Sequence, residues 1–594
     1  MKKTLLVGIN AKFIHSNLAL RYIKKYYAKN EGNDPLELLE YSINQEIDYI
    51  LNEIIIREPE IVTFSCYLWN IEMVRKLSKT IKTINANITI IYGGPEVSYT
   101  GIVEMTNYPF IDYIIQGEGE EIFRQLFNYL NAKSMLPLTG IVYREEDIVK
   151  VKPPSVGLNM DEIPFPYDEQ LEGLENRILY YETSRGCPFH CQYCLSSIEA
   201  GVRFKSFYIV SKELDFFLNK NVRQVKLVDR TFNTQKEHAI AIMNYIIEND
   251  NGITNFHFEV APELMSPEFI SCLQKAREGL FQLEIGVQST NEETLDIIQR
   301  ENHLPKIQEA VESVKKLANT HMHLDLIAGL PKEDYKSFGI SFDYVYRLKP
   351  EQLQLGFLKV LKGSGMMGMK EQYGVIYRGY PPYEVLKTKD VSYLELARLK
   401  MIEEMVELFY NSGRFLMSIS KIVDSFDSPF IGFEYIADYW LELNMHHRKH
   451  QKLDLYEFIY KTLIRLEETM NEPSRLSLSK IIMFDYCLNE KPKKTLEWMN
   501  YSFVNASLMQ LLLDSLSDAG IWIEESQLYT TKQRSRMFHI DEINKKDLPD
   551  YFNQCREIVV ESNLYQGSFL LVNYLRRDFL HNNGEAVIVT VKKL

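Results

Sequence analysis

The chain has 594 residues, too many for one hydrophobic core, so about three or four domains are expected. Its composition is that of a soluble protein, 45% hydrophobic and 25% charged, and no apolar run reaches the ~18 residues of a membrane span. The net charge of −14 argues against broad nucleic-acid binding, and an odd count of seven cysteines in so long a chain excludes a disulfide framework.

The N-terminus begins Met-Lys-Lys, but its apolar stretch is short and runs into Asn10 and Lys12. It reads as a buried first strand rather than a signal peptide, which places the protein in the cytoplasm. Residues 1–138 alternate short apolar runs (4–9, 36–40, 60–65, 88–92 and 111–115) with helical patterns such as 45–57 and 71–84. Strands separated by helices imply right-handed crossovers, hence a doubly wound parallel sheet of about five strands. Residues 139–175 read as a small hairpin over 139–151 and then a proline-dense linker, Lys152-Pro-Pro-Ser155 and Ile163-Pro-Phe-Pro166.

A second α/β alternation fills 176–375. Its strand candidates, 178–184, 222–229, 253–260, 280–287, 321–327 and 353–360, suit a partial (β/α)6 barrel with its chemistry at the strands' carboxyl ends. Residues 376–594 turn mostly helical. The segment 391–409 has apolar residues at helical spacing and stops at Asn411-Ser-Gly413, 455–466 is similar, and 586–591 is a final β-branched strand.

Three of the cysteines crowd into Cys187-Pro-Phe-His-Cys191-Gln-Tyr-Cys194, directly after the first barrel strand and the turn Arg185-Gly186. A loop there can curl three thiolates around one soft metal centre. Structural zinc takes four ligands, usually as two pairs, and no second pair is near. His190 could complete a zinc site only by straining past its neighbour Cys191. Three thiolates on an iron–sulfur cubane leave one iron open to a substrate. Cys66, Cys272, Cys487 and Cys555 are scattered and read as small buried apolar residues. His446, His447 and His450, interleaved with Arg448 and Lys449, read as a solvated basic helix end.

The motif resembles that of the radical S-adenosylmethionine (SAM) superfamily. The resemblance implies a 4Fe-4S cluster on Cys187, Cys191 and Cys194, SAM bound at the open iron, and cleavage of SAM to a 5′-deoxyadenosyl radical. It also implies an external one-electron reductant such as flavodoxin or ferredoxin. Tyr193 matches the aromatic position that lies near the adenine. Later strand ends match in order: Val228-Asp-Arg-Thr-Phe232 with Asp229, Glu259, Glu284-Ile-Gly-Val-Gln-Ser289 with Glu284, Gln288 and Ser289, and Asp325-Leu-Ile-Ala-Gly-Leu-Pro331 with Gly329. The resemblance makes these SAM contacts; their other reading is as caps for the helices that follow.

In doubly wound sheets a ligand sits outside the carboxyl ends of the strands. The segments there are polar or rich in glycine: Asn10-Ala-Lys-Phe-Ile-His-Ser-Asn17, Ser65-Cys66-Tyr67, Gly93-Gly-Pro-Glu96 and Gly117-Glu-Gly-Glu120. Together they resemble the cobalamin-binding domain that precedes many radical SAM barrels. The candidate contacts are Asn10, His15, Asn17, Ser65, Gly93, Gly94, Gly117 and Glu118. The chain has no Asp-x-His, so no lower histidine ligand from that motif is expected, and His15 reads as a locally bonded loop residue. The tail resembles the uncharacterised helical domain that follows some of these proteins.

The first reading is therefore a cobalamin-dependent radical SAM methyltransferase. The second is a radical SAM enzyme of other chemistry: rearrangement, cyclisation or methylthiolation. Against the last stands Cys66 as the single cysteine of residues 1–130. The third is a non-enzymatic corrinoid or redox sensor. The sequence does not name the substrate.

Overall fold

In the computed structural model the described residues are 1–137, 139–154, 157–168, 170–171, 173–198, 201–470, 478–491, 496, 498, 506–522, 533, 537–545 and 548–593. Leu138, at the first expected boundary, and Ser155 of the proline-dense linker lie outside them. The chain divides into two compact units, residues 1–335 with 356–396, and residues 336–355 with 397–594.

The first unit opens with a seven-stranded sheet. Its spatial order is Leu36–Ser42, Thr4–Asn10, Ile61–Ser65, Thr89–Gly93, Tyr113–Ile115, Ile141–Glu145, Ile148–Lys152. The first five strands pair in parallel, in the 2-1-3-4-5 order of a doubly wound domain. The hairpin expected in the linker instead extends this sheet, its two strands running antiparallel at the edge. All of Thr4–Asn10 and Ile61–Ser65 is buried, as central parallel strands covered on both faces must be. Helix Ile71–Ile84 buries Ile71, Val74, Leu77, Ser78 and Ile81, a helical stripe.

The barrel sheet follows with six strands in sequence order: Leu179–Tyr181, Gln224–Leu227, Asn255–Val260, Phe281–Gln288, His321–Ala328 and Gln352–Phe357. Pairing is parallel through His321–Ala328. Strand Phe281–Gln288 alternates strictly. Phe281, Leu283, Ile285 and Val287 are buried, while Gln282, Glu284, Gly286 and Gln288 share the other face. On the next strand Met322, Leu324 and Leu326 are buried apolar, and His321, His323 and Asp325 fall on the polar face. A barrel filled for stability carries branched apolar layers inside; this one presents titratable groups.

The second unit holds helices Leu416–Val423, Pro429–Glu442, Lys452–Met470, Leu478–Asn489 and Ala506–Asp518. The expected strand is present as Gly584–Lys593, joined by three others in the order Phe538–Ile543, Gly567–Arg577, Gly584–Lys593, Arg556–Ser562. Helix Ala506–Asp518 packs Leu508, Leu512, Leu513 and Leu516 in one core with Phe538, Ile540, Phe569, Leu571, Val587 and Val589 of this sheet. Among the described residues no helix is long and apolar enough to cross a membrane.

Candidate cluster and cofactor sites

The cysteine loop is carried by a two-stranded antiparallel ribbon, Ser184–Gly186 against Val202–Phe204, immediately after the first barrel strand. Gly186 has φ +103°, and a Cβ there would lie 2.1 Å from the Gly201 carbonyl oxygen, so the ribbon closes only with glycine at this position. Two of the three sulfurs face an N–H donor and the third a hydroxyl. The Ser196 N–H points to Cys194 Sγ at 3.4 Å, Arg300 Nη1 to Cys191 Sγ at 3.8 Å, and the Thr231 hydroxyl lies 3.8 Å from Cys187 Sγ. Burial pushes the Cys187 thiol up, and the charges of Cys194 and Cys191 add to this.

Among the described residues, the one His/Cys/Asp/Glu group whose ligand atoms all fall within 4.8 Å of each other is Glu284, His323 and Asp325. Three cysteines on one loop, none of them in a disulfide, fit a cluster with one open corner.

Arg300, which sequence reasoning missed, organises the mouth. One guanidinium nitrogen bonds the Gly286 carbonyl, and the other reaches both Cys191 and the Tyr193 hydroxyl, the latter at 3.3 Å. Asn302 donates to the Val287 and Ser289 carbonyls at 2.5 and 3.2 Å. Gln288 sits at φ +70° where the strand register shifts, and its amide folds over Gly286. A Cβ on Gly286 would come within 2.2 Å of that amide nitrogen.

The polar face of the barrel sheet is an interlocked set. Glu284 accepts from Lys226 Nζ at 2.8 Å and lies 3.0 Å from His257 Nε2. Burial works to raise Glu284, but the His257 hydrogen bond and the Lys226 ammonium outweigh it and hold the carboxyl well below the usual range. Glu259 and Asp325 are pushed the other way, by burial first and then by the Glu284 charge. His323 Nε2 is 3.1 Å from Asp325. Three carboxyls therefore cluster against Lys226, with Arg230 and Arg300 as further cations acting on Glu259 and Asp325, and such a cluster can receive an incoming cationic group. SAM carries such groups in its sulfonium and ammonium, so Glu259, Glu284 and Asp325 suit it.

Other sequence-predicted contacts hold backbone in place. Asp229 is buried and accepts from Thr183 N–H at 2.9 Å, Thr183 Oγ1 at 2.7 Å and Ser184 Oγ at 2.5 Å; burial pushes it up to about 6. It ties the second strand's end to the approach of the cysteine loop. Ser289 is fully buried, donating to Glu333 at 2.7 Å and accepting from the Asn291 N–H at 3.0 Å. Gly329, at φ +84°, packs under Val385, which a Cβ would meet at 2.7 Å.

In the first sheet, Asn10, Asn17 and Ser65 are buried at the carboxyl edge. Asn17 caps helix Leu18–Glu31 through Leu20 and donates to Ser65 at 2.7 Å; Asn10 donates to the His15 carbonyl at 3.0 Å. Gly94 has φ +112°, and a Cβ would strike the Cys66 carbonyl at 2.6 Å. Gly93 and Gly117 line the same edge, Gly117 with φ +77° beneath Pro154. Glu118 is bound by Arg203 and Arg185. His15 bonds the Tyr180 hydroxyl at 2.6 Å, joining the first loop to the first barrel strand. Around these small residues the edge exposes Phe13, Ile14, Trp69 and Tyr99, and Trp69 stacks on Tyr67 at 4.4 Å. Apolar faces beside glycine turns suit the broad face of a corrin.

Three family models match the chain: a B12-binding domain over residues 4–127, the radical SAM superfamily over 181–345, and a protein of unknown function (DUF4080) over 371–560. An uncharacterized methyltransferase of Pyrococcus horikoshii is 26% identical over 50% of this chain and 66% of its own. The cobalamin-dependent radical SAM methyltransferase TokK of Streptomyces tokunonensis is 25% identical over 47% of this chain and 44% of its own. The chain thus spans two thirds or less of these relatives' lengths. Among solved structures, the cobalamin-dependent SAM radical enzyme OxsB matches at TM-score 0.58, with 17% identity over 82% of this chain and 84% of its own. TsrM of Kitasatospora setae matches at TM-score 0.52, with 16% identity over 64% and 76%. At such identities these structures speak for the fold. The cysteine loop, the strand-end order and the glycine-edged first sheet coincide with the matched segments, and the chain carries a radical SAM domain, with a B12-binding domain before it and a DUF4080 domain after it.

Proposed function

We propose that the chain is a cobalamin-dependent radical SAM enzyme that transfers methyl groups. The observation that carries this is the joining of the two ligand edges in one compact unit: His15, in the first loop of the B12-binding domain, bonds Tyr180 on the first barrel strand. When bound, a reduced 4Fe-4S cluster supplies the electron that cleaves SAM, and cobalamin supplies a methyl carrier.

The chain's own residues do the positioning. Cys187, Cys191 and Cys194 hold the cluster and leave a corner open. Arg300 orients Cys191 and Tyr193 together. Glu259, Glu284 and Asp325 take the cationic parts of SAM. Phe13, Ile14 and Trp69 would offer apolar surface to the corrin. The electron comes from an external donor of the flavodoxin or ferredoxin kind, and the enzyme works in the cytoplasm. Nucleic acid is not the expected substrate, in line with the net charge of −14.

A second reading, radical SAM chemistry other than methyl transfer, is favoured by one specific similarity. The anaerobic magnesium-protoporphyrin IX monomethyl ester cyclase of Synechocystis is 25% identical over 39% of this chain.

The test is electron paramagnetic resonance (EPR) on anaerobically reconstituted protein, with SAM and with cobalamin, followed by assay of the products. A cluster signal perturbed by SAM, a bound cobalt(II) signal without nitrogen splitting, and S-adenosylhomocysteine alongside 5′-deoxyadenosine are expected. A SAM-responsive cluster in protein that takes up no cobalt overturns methyl transfer and leaves the second reading.

A further inference from the structure

The two strands that carry the cysteine loop place Arg185 and Arg203 directly opposite each other. Like charges in cross-strand register repel, and a two-stranded ribbon of three residue pairs has little stability of its own. The charge that reconciles them comes from the B12-binding domain. Glu118 pairs with Arg203 through one oxygen and lies 3.2 Å from Arg185 Nη1 through the other. Glu120 accepts from Arg185 Nη2 at 2.6 Å, and Glu182, three residues before Arg185, accepts from it at 2.6 and 2.9 Å. Arg203 also donates to the Leu158 carbonyl, and the Leu158 N–H donates back to Glu118 at 3.1 Å. Arg185 lies over the Tyr22 ring, on the first helix of the same domain. Glu118 and Glu120 open helix Gly119–Leu130, where the unpaired N–H groups of the first turn favour carboxylates.

We propose that Glu118 and Glu120 with Arg185 and Arg203 form a clamp that fixes the cysteine loop relative to the corrin-binding edge, so that the B12-binding domain positions the cluster. This rests on the reading that cobalamin binds there. The four are positioning residues: they act through the ribbon, and Cys187 begins two residues after Arg185. Arginine is needed at 185 because one planar group serves three carboxylates. The narrow turn Gly117-Glu118-Gly119-Glu120 lets two carboxylates one residue apart reach one ribbon.

Two measurements on the full chain decide it. Hydrogen exchange on the protein without cofactors compares wild type, the Glu118→Gln/Glu120→Gln double variant and Arg203→Lys. The double variant is expected to exchange at least tenfold faster at 184–186 and 202–204 with strand Ile61–Ser65 unchanged, and Arg203→Lys to stay within threefold of wild type. Unchanged ribbon exchange in the double variant overturns the clamp, with or without cobalamin. The second measurement is microwave power saturation of the cobalt(II) signal beside the reduced cluster, in protein loaded with both. Such relaxation enhancement falls steeply with distance, so the half-saturation power should drop at least threefold in the double variant. Wild-type relaxation in a fully loaded double variant overturns positioning. Wild type that takes up no cobalamin removes the reading beneath, and ribbon exchange alone then judges the clamp.

Discussion

Arg300 stands with one guanidinium nitrogen 3.8 Å from the Cys191 sulfur while another is bonded to the Gly286 carbonyl. A cation beside a ligating thiolate stabilises the more negative, reduced cluster. Arg300→Gln is expected to lower the cluster's midpoint potential by roughly 50–100 mV, the scale of one unit charge several ångströms away at intermediate dielectric. Arg300→Lys should recover most of it. Potentiometric titration followed by EPR measures this; equal midpoints in wild type and Arg300→Gln would sink the argument.

Gly186 and Gly201 face each other at the base of the cysteine loop and separate two kinds of glycine requirement. Both have positive φ, +103° and +85°, but a Cβ on Gly186 meets backbone at 2.1 Å, whereas one on Gly201 meets nothing within 4 Å. Gly201→Ala should cost about 1 kcal/mol of local strain and reconstitute normally. Gly186→Ala must displace the opposing strand, and its iron content after reconstitution should fall below half of wild type. Equal iron in the two variants would show that ribbon closure does not set the loop.

Cys191→Ala removes one corner of the cluster while leaving the first sheet's core, which contains no part of the loop, intact. Iron per chain should fall from ~4 to a small fraction, and 5′-deoxyadenosine formation should fall below detection. Circular dichroism should be unchanged. SAM cleavage at the wild-type rate would remove the assignment of these cysteines.

The parts legible in the sequence are those written in local spacing. Cys187, Cys191 and Cys194 announce a soft metal centre by separation alone, and the apolar runs of both sheets lie within a few residues of the observed strands. Contacts between distant segments were not legible. Arg203 matters because a ribbon puts it opposite Arg185, and no periodicity reports that. Arg300 follows a short helix and looks like a surface residue until folding brings it to Cys191. A polar residue at a strand end looks the same whether it faces a ligand or holds a neighbouring backbone. Asp229 and Ser289 are occupied by protein donors, while Glu259 and Asp325 are pushed up by burial and by the neighbouring Glu284 charge. In the second unit, strand Phe538–Ile543 carries His539, Asp541 and Glu542, so it lacks the alternation that would mark it. Its burial comes from helix Ala506–Asp518.

Asp485 gives the second unit a pH dependence of its own. It is buried on helix Leu478–Asn489 and accepts from the Met417 N–H at 3.1 Å, the Ser418 N–H at 2.9 Å and Ser418 Oγ at 2.6 Å. It therefore caps helix Leu416–Val423, which has no side-chain cap of its own. Burial pushes it from 3.8 up to about 7, against the hydrogen bonds that favour its charge. With the folded value above the unfolded one, the folded state holds more protons. The contribution to stability is then fully present below pH 3.8 and is lost as the pH rises through about 7. Between pH 6 and 8 the loss is about 1.4 kcal/mol, one pH unit of proton uptake. Asp485→Asn keeps one acceptor oxygen and does not titrate. Its unfolding free energy, from denaturant titration, should therefore lack that slope while wild type loses it. Parallel pH profiles for the two proteins would mean that Asp485 stays ionised in the fold.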